Sequence, residues 1–315
     1  MIGNWLAPRD RYPQPEAPDP VLEPSSVLEL VRRHGRAATA VRHVDESGGE
    51  ARAYFVDADI VLKVQRPHRV RERTSLAKEA AFLTELATDP AILAPQVIGY
   101  GVDGTVEYLC MTRLAGVAAG TLDVQGEARQ ALLHALGRTL RRVHGIAQAP
   151  LQATGLFPGD RTAADVRARL AQVVGQAVDA VRTDRQAWSF GIAPEELAAH
   201  VLAHLPAEMP VVALHSNPGP EHVFVDSATH QFGGLIDFGD AYTSHPAFDV
   251  RWAAPADRAA ILDGYQADGA RDDGFLATWH AVLAATELRV LTAPRFGPER
   301  QRQAETNLAR LLAEL

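Results

Sequence analysis

Apolar positions change their period along the chain, and the changes divide it. From Ala40 to Gln65 they alternate every second residue. AVRHVD, ARAYFVD and DIVLKVQ therefore predict three strands, the first two separated by the flexible ESGGE of residues 46–50. Residues 71–88 take up a helical period through Leu76, Ala80, Leu83 and Leu86, and Pro90 and Pro95 close the segment. QVIGYGV and EYLCMTRL then predict a hairpin turned at Asp103-Gly104. The first part of the chain is thus expected to be a small five-stranded antiparallel sheet with one inserted helix. Ahead of it, residues 8–24 carry six prolines in seventeen positions and read as an extended arm. Ser25 or Ser26 is the expected cap of a short helix through Leu28, Leu30 and Val31, ending near Gly35.

Past Gly116 the pattern becomes Ala- and Leu-rich, and a helix over 127–145 places Leu132, Leu133, Leu136, Leu140 and Val143 on one face. Further helical periods occupy 161–183, 193–205, 256–268, 272–292 and 297–314. Among them lies a single clear β hairpin, HVFVD and FGGLIDF, joined by the polar turn Ser227 to Gln231. The expected organisation is an arm (1–24), a β-rich lobe (25–114) ending in a connection near 112–117, and a helical lobe (115–315). The class is α+β and bilobal.

Composition narrows the function. At 315 residues and 47% hydrophobic content the chain buries a large core, and no run of eighteen apolar residues is present to span a bilayer. The first twenty residues lack an apolar signal region, and the lone Cys110 suits a reducing cytoplasm, so a cytoplasmic location is expected. A net charge of −8 opposes non-specific nucleic-acid binding. Neither a nucleic-acid nor a membrane partner is expected.

Several motifs have plain readings. GYGVDG at 99–104 matches G-x-G-x-x-G, but a strand follows where a dinucleotide site needs a helix, so it reads as a hairpin turn. No Walker-type loop or nucleophile elbow occurs. His200 and His204 have helical metal spacing without the H-E-x-x-H glutamate and read as helix-face residues. Lys63 in VLKVQ could be an edge-strand lysine with its ammonium in water, or a phosphate-binding lysine paired with Glu79 on the following helix. The downstream hairpin favours the second reading. His215 and Asn217 precede it, His222 opens it, and Asp237-Phe238-Gly239 closes it, in the order of a kinase catalytic loop and its metal-binding turn.

Together these segments resemble the aminoglycoside phosphotransferase and choline-kinase-like family, which shares the protein-kinase-like fold. The resemblance runs from about residue 25 onward and is most specific in LHSNPGPEHVFVD, GGLIDFGDA and HPAFDV. It implies that His215 structures the catalytic loop, Asn217 occupies the catalytic-base position, Asp237 and His222 hold Mg²⁺, and Asp249 supports them. Lys63 and Glu79 become the phosphate-binding pair. Ser47, Gly48 and Gly49 fall in the nucleotide-covering loop, and Met111, Thr112 and Leu114 in the hinge that meets the base. ATP or GTP is the implied donor, and the acceptor a hydroxyl-bearing small molecule.

Asn217 departs from the pattern, because a carboxylate is expected there and an amide accepts no proton. General-base help is typically worth roughly 10²–10⁴-fold, yet phosphoryl transfer relies mainly on positioning and electrostatics. Three readings stay open: a slow phosphotransferase, a nucleotide-binding protein without turnover, and an interaction protein that binds no nucleotide. Pro218 biases Asn217 toward extended geometry, and imidazole is a poorer Mg²⁺ ligand than oxygen. Glu195, Glu196, Asp263, Asp272, Asp273 and Glu287 offer negative charge for a cationic acceptor, although solvated helix faces explain them more simply.

Overall fold

The computed structural model describes residues 12–72, 74–183, 191–251, 255–267, 269, 272–292 and 296–314. The start of the expected arm (1–11) and the last residue of the helix expected over 256–268 lie outside the described residues.

The chain begins with α1 (Pro24–Arg33), followed by β1 (Val41–Asp45), β2 (Ala51–Val56), β3 (Ile60–Gln65), α2 (Leu76–Leu86), β4 (Val97–Asp103) and β5 (Val106–Thr112). The strands form one five-stranded antiparallel sheet in the order β1-β2-β3-β5-β4. Lys63 therefore sits on the middle strand, which excludes the edge-strand reading. Strand alternation divides β3 between two packing layers. Leu62 and Val64 join Val27, Leu30 and Val31 of α1, whereas Val61 packs in the main core with Leu76 and Leu83 of α2.

Element ends differ from expectation for local reasons. Neither serine caps α1: Glu23 is its N-cap and Pro24 takes the first helical turn, where its fixed φ fits and its missing N–H costs nothing. Helix α2 starts at Leu76 rather than 71, because the Ser75 side chain accepts from the Lys78 N–H and a 3₁₀ turn already occupies 67–69. The β4–β5 turn lies one residue later than expected, with Asp103 still paired to Val106.

After residue 116 come β6 (Val117–Ala118), α3 (Gly126–Gly145), α4 (Gln148–Ala153), α5 (Ala163–Thr183) and α6 (Pro194–Ala203). Then follow β7 (Val212–Leu214), β8 (Val223–Val225), β9 (Phe232–Leu235), β10 (Tyr242–Ser244), α7 (Pro255–Gln266), α8 (Asp273–Thr292) and α9 (Pro298–Glu314). The hairpin is not the only β structure of this region: β6 extends it in a three-stranded sheet, and β7 pairs with β10. These strands run only two or three residues, too short to show a period, and the six-residue α4 was missed for the same reason. Helix α8 is buried along most of its length and packs against α5 and α9. Helices α3 and α7 cross closely through glycine, and a Cβ on Gly264 would lie 2.0 Å from the His134 carbonyl oxygen.

Candidate active site

The site forms where the central strand of the sheet meets the loops around the hairpin. Lys63 Nζ lies 2.7 and 2.9 Å from the two Glu79 carboxylate oxygens and 2.9 Å from Asp237 Oδ1. The separation of Lys63 and Glu79 in sequence thus becomes a direct ion pair, and Asp237 comes from 174 residues away. Burial opposes charge on Lys63 and Asp237, but their mutual attraction outweighs it: the ammonium is held above its ordinary range and the Asp237 carboxyl well below its own. Helix α2 is tied to the same loop by aromatic edges, with Phe82 packing at 5.2 Å on Phe238. Lys78 Nζ donates to the Ala241 carbonyl.

The loop from His215 to His222 is held from beneath. Both oxygens of the buried Asp249 accept backbone N–H bonds, from His215 at 2.7 Å and Ser216 at 2.8 Å. His144 Nε2 donates to Asp249 at 3.0 Å, while its Nδ1 accepts from the Tyr265 hydroxyl. Burial raises the Asp249 carboxyl, yet His144, His215 and the loop N–H groups more than offset it and leave the carboxylate below its usual range. His215 Nε2–H donates to the Ile236 carbonyl, and burial pulls the imidazole down to about 4, so it is neutral at pH 7. Ser216 adopts φ +79° and is fully buried, its hydroxyl without a partner among the described residues, a position better suited to glycine.

Asn217 is half-buried at the loop's open side, and none of the described residues hydrogen-bonds its side-chain amide. Its backbone carbonyl accepts from His222 Nδ1–H at 2.8 Å, which turns the ring's Nε2 toward the metal-type turn. That nitrogen lies 3.2 Å from Asp237 Oδ2. At this distance a ring proton or a shared cation joins the two groups.

At the opposite wall, Met111 is buried on β5 beside the inter-lobe connection. Thr112 N–H is taken by the Gln96 carbonyl and Arg113 N–H by the Asp59 carbonyl. Among the described residues, Leu114 N–H has no such partner. Ser47, Gly48 and Gly49 are exposed in the β1–β2 loop, with Ser47 N–H bound to Asp45.

Sequence reasoning missed Arg71. Its guanidinium reaches both oxygens of Asp240 at 2.9 and 2.7 Å and also pairs with Glu50, joining the β1–β2 loop to the segment after β9. Thr74 donates to the same carboxylate at 2.6 Å. Asp240, beside the metal-type turn, was the available signal, and the arginine-rich 66–73 stretch held its partner. Three of the six acidic residues weighed for a cationic acceptor are engaged elsewhere. Glu287 is fully buried between Arg258 and Arg300, Glu195 pairs with Arg182, and Asp272 accepts from the Phe275 N–H. The His200 and His204 rings meet edge to face with centroids 4.6 Å apart, and among the described residues no group of three His, Cys, Asp or Glu could hold a metal.

Among solved structures, the chain is similar to macrolide 2'-phosphotransferase MphH from Brachybacterium faecium, with 22% identity, a TM-score of 0.60 and coverage of 90% of this chain and 98% of that one. It is also similar to APH(2")-IIia in its GDP and kanamycin complex, with 15% identity, a TM-score of 0.56 and coverage of 92% and 98%. A third, macrolide 2'-phosphotransferase type I, shares 21% identity with a TM-score of 0.54 and coverage of 90% and 96%. No curated protein matches the chain by sequence. These structural likenesses establish the kinase-like α+β fold. The model of the phosphotransferase enzyme family (APH) matches residues 42–284, most of the chain, and the protein belongs to that family.

Proposed function

We propose that the protein is a small-molecule phosphotransferase that moves the γ-phosphate of ATP or GTP to a substrate hydroxyl, slowed by Asn217. The observation that carries this reading is Lys63 held between Glu79 and Asp237, a charge triangle built across the cleft from three elements. A lysine so placed neutralises nucleotide phosphates. Leu114 N–H is the free donor for the edge of a purine, and Met111 lines the wall behind it. Ser47, Gly48 and Gly49 cover the phosphates. Neighbouring structures contain GDP or ATP, so both bases are candidates.

The residues fit Mg²⁺. Asp237 Oδ2 and His222 Nε2 lie 3.2 Å apart, close enough to share an ion, and Mg²⁺ characteristically takes one or two protein ligands and completes its shell with phosphates and water. When bound, the ion would neutralise charge on the transferring phosphates. His215 stays neutral and fixes the loop, while Asn217 offers its amide oxygen to orient the acceptor hydroxyl without taking its proton. The acceptor proton leaves late in a loose transition state, so this substitution slows turnover without abolishing it. A second reading, nucleotide binding without turnover, is favoured by the same asparagine.

The test is a thermal-shift titration with MgATP and MgGTP. A Mg²⁺-dependent rise in Tm at millimolar nucleotide is expected, and Lys63→Met should abolish it. No shift with either nucleotide would sink both readings.

A further inference from the structure

Outside the cleft, a charged cluster forms where the arm crosses β2 and β3. Asp19 accepts from Arg52 Nη1 and Nη2 at 3.0 Å each and from Arg66 Nη2 at 2.8 Å. Arg52 also donates to the Pro20 carbonyl at 2.7 Å, and the Leu22 N–H binds the Tyr54 hydroxyl at 2.9 Å. Both arginines are nearly buried, with side chains 3% and 8% exposed. Their remaining donors reach into the β1–β2 loop: Arg52 Nε binds Glu46 at 2.6 Å, and Arg66 Nη1 points at the Gly48 carbonyl at 3.4 Å. Among the described residues the buried Arg66 Nε has no hydrogen-bond partner, so Asp19 supplies much of what fixes that guanidinium.

We infer that Asp19 is a positioning residue for the nucleotide: it aims Arg52 and Arg66 at the loop over residues 46–50 and thereby sets how firmly that loop closes on phosphates. One carboxylate serves two buried cations here. Removing its charge leaves Arg52 with the Pro20 carbonyl and Glu46, its remaining anionic partner among the described residues, and the Arg66–Gly48 contact loses its support. The arm then becomes part of the nucleotide site without touching it. The inference rests on the phosphotransferase reading.

The experiment uses the full chain carrying Asp19→Asn, with Asp19→Glu as the charge-keeping control. Calorimetric titration with MgATP or MgGTP should show Kd weakened about fivefold in Asp19→Asn, equivalent to about 1 kcal/mol, and closer to wild type in Asp19→Glu. Amide hydrogen exchange should speed up at residues 46–50 while the central strand β3 keeps its protection. Unchanged affinity overturns the inference, and so does exchange that accelerates across the whole sheet, the mark of a merely structural tie. Wild-type protein that binds neither nucleotide defeats the phosphotransferase reading itself, a result distinct from a wild type that binds and a variant that binds equally well.

Discussion

Asn217 stands on a loop that does not depend on it. Asp249 holds the two preceding N–H groups, and the asparagine's own side chain hydrogen-bonds none of the described residues. Asn217→Asp should therefore leave the loop in place and restore a proton acceptor. Phosphotransfer, or background nucleotide hydrolysis, is expected to rise by about tenfold or more, within the range of general-base help. A steady-state rate that does not change would favour binding without turnover. The neighbouring Ser216 gives a stability prediction. Its left-handed backbone costs roughly 1–2 kcal/mol, and its orphaned hydroxyl adds a desolvation penalty of about 1–3 kcal/mol. Glycine loses up to about 1 kcal/mol through the more flexible unfolded chain. On balance Ser216→Gly should raise stability by about 1 kcal/mol or more, seen as a higher urea midpoint; a lower midpoint would refute the strain.

Between elements, the decisive contacts are buried charges and close backbone crossings. Asp249→Asn would keep at most one good acceptor where two N–H groups and His144 now converge. A loss of about 3 kcal/mol or more is expected in equilibrium unfolding. A loss below about 1 kcal/mol would mean the bracket contributes little. Gly264→Ala would drive a methyl into α3 backbone and should lower Tm by several degrees, since neither helix can retreat without opening the core. Sequence periodicity revealed the five-stranded sheet and most helices because those segments are long enough to show a repeat. The sequence also singled out, by residue type and order, Lys63, Glu79, Asp237 and His222, which the fold brings into direct contact. It could not reveal β6, β7 and β10, which lack the length. Nor could it reveal the Arg71–Asp240 and Asp19–Arg52 pairings, whose partners are set by tertiary approach over 169 and 33 residues.

Across the whole molecule, pH acts through buried imidazoles. His245 is 1% exposed, accepts the Ala247 N–H through Nδ1, and has its buried Nε2 without a partner among the described residues. Burial, with His144 nearby and Asp272 opposing, pulls it from its ordinary 6.5 down to about 4. Below pH 6.5 the unfolded chain takes up a proton that the folded chain refuses, so stability falls between pH 6.5 and 4 and is fully present above 6.5. This side chain alone accounts for up to about 3 kcal/mol of that fall. The stability difference between pH 7 and pH 5 should therefore shrink by about 2 kcal/mol in His245→Asn, which keeps an acceptor for the Ala247 N–H but does not titrate, while His215, lowered likewise to about 4, keeps its own share. An equal drop in both proteins would assign the effect elsewhere. No helix among the described residues is long and apolar enough to cross a membrane.

The proline after Asn217 also governs how the protein ages. Spontaneous deamidation of asparagine runs through a cyclic imide, formed when the next residue's backbone nitrogen attacks the side-chain carbonyl. Pro218 has no N–H to lose in that step. Position 217 is thus shielded from the slow chemical drift that would turn its amide into a carboxylate. A preparation stored for weeks should keep the same intact mass at this peptide and the same rate. Any activity that grew with storage would have to come from another source.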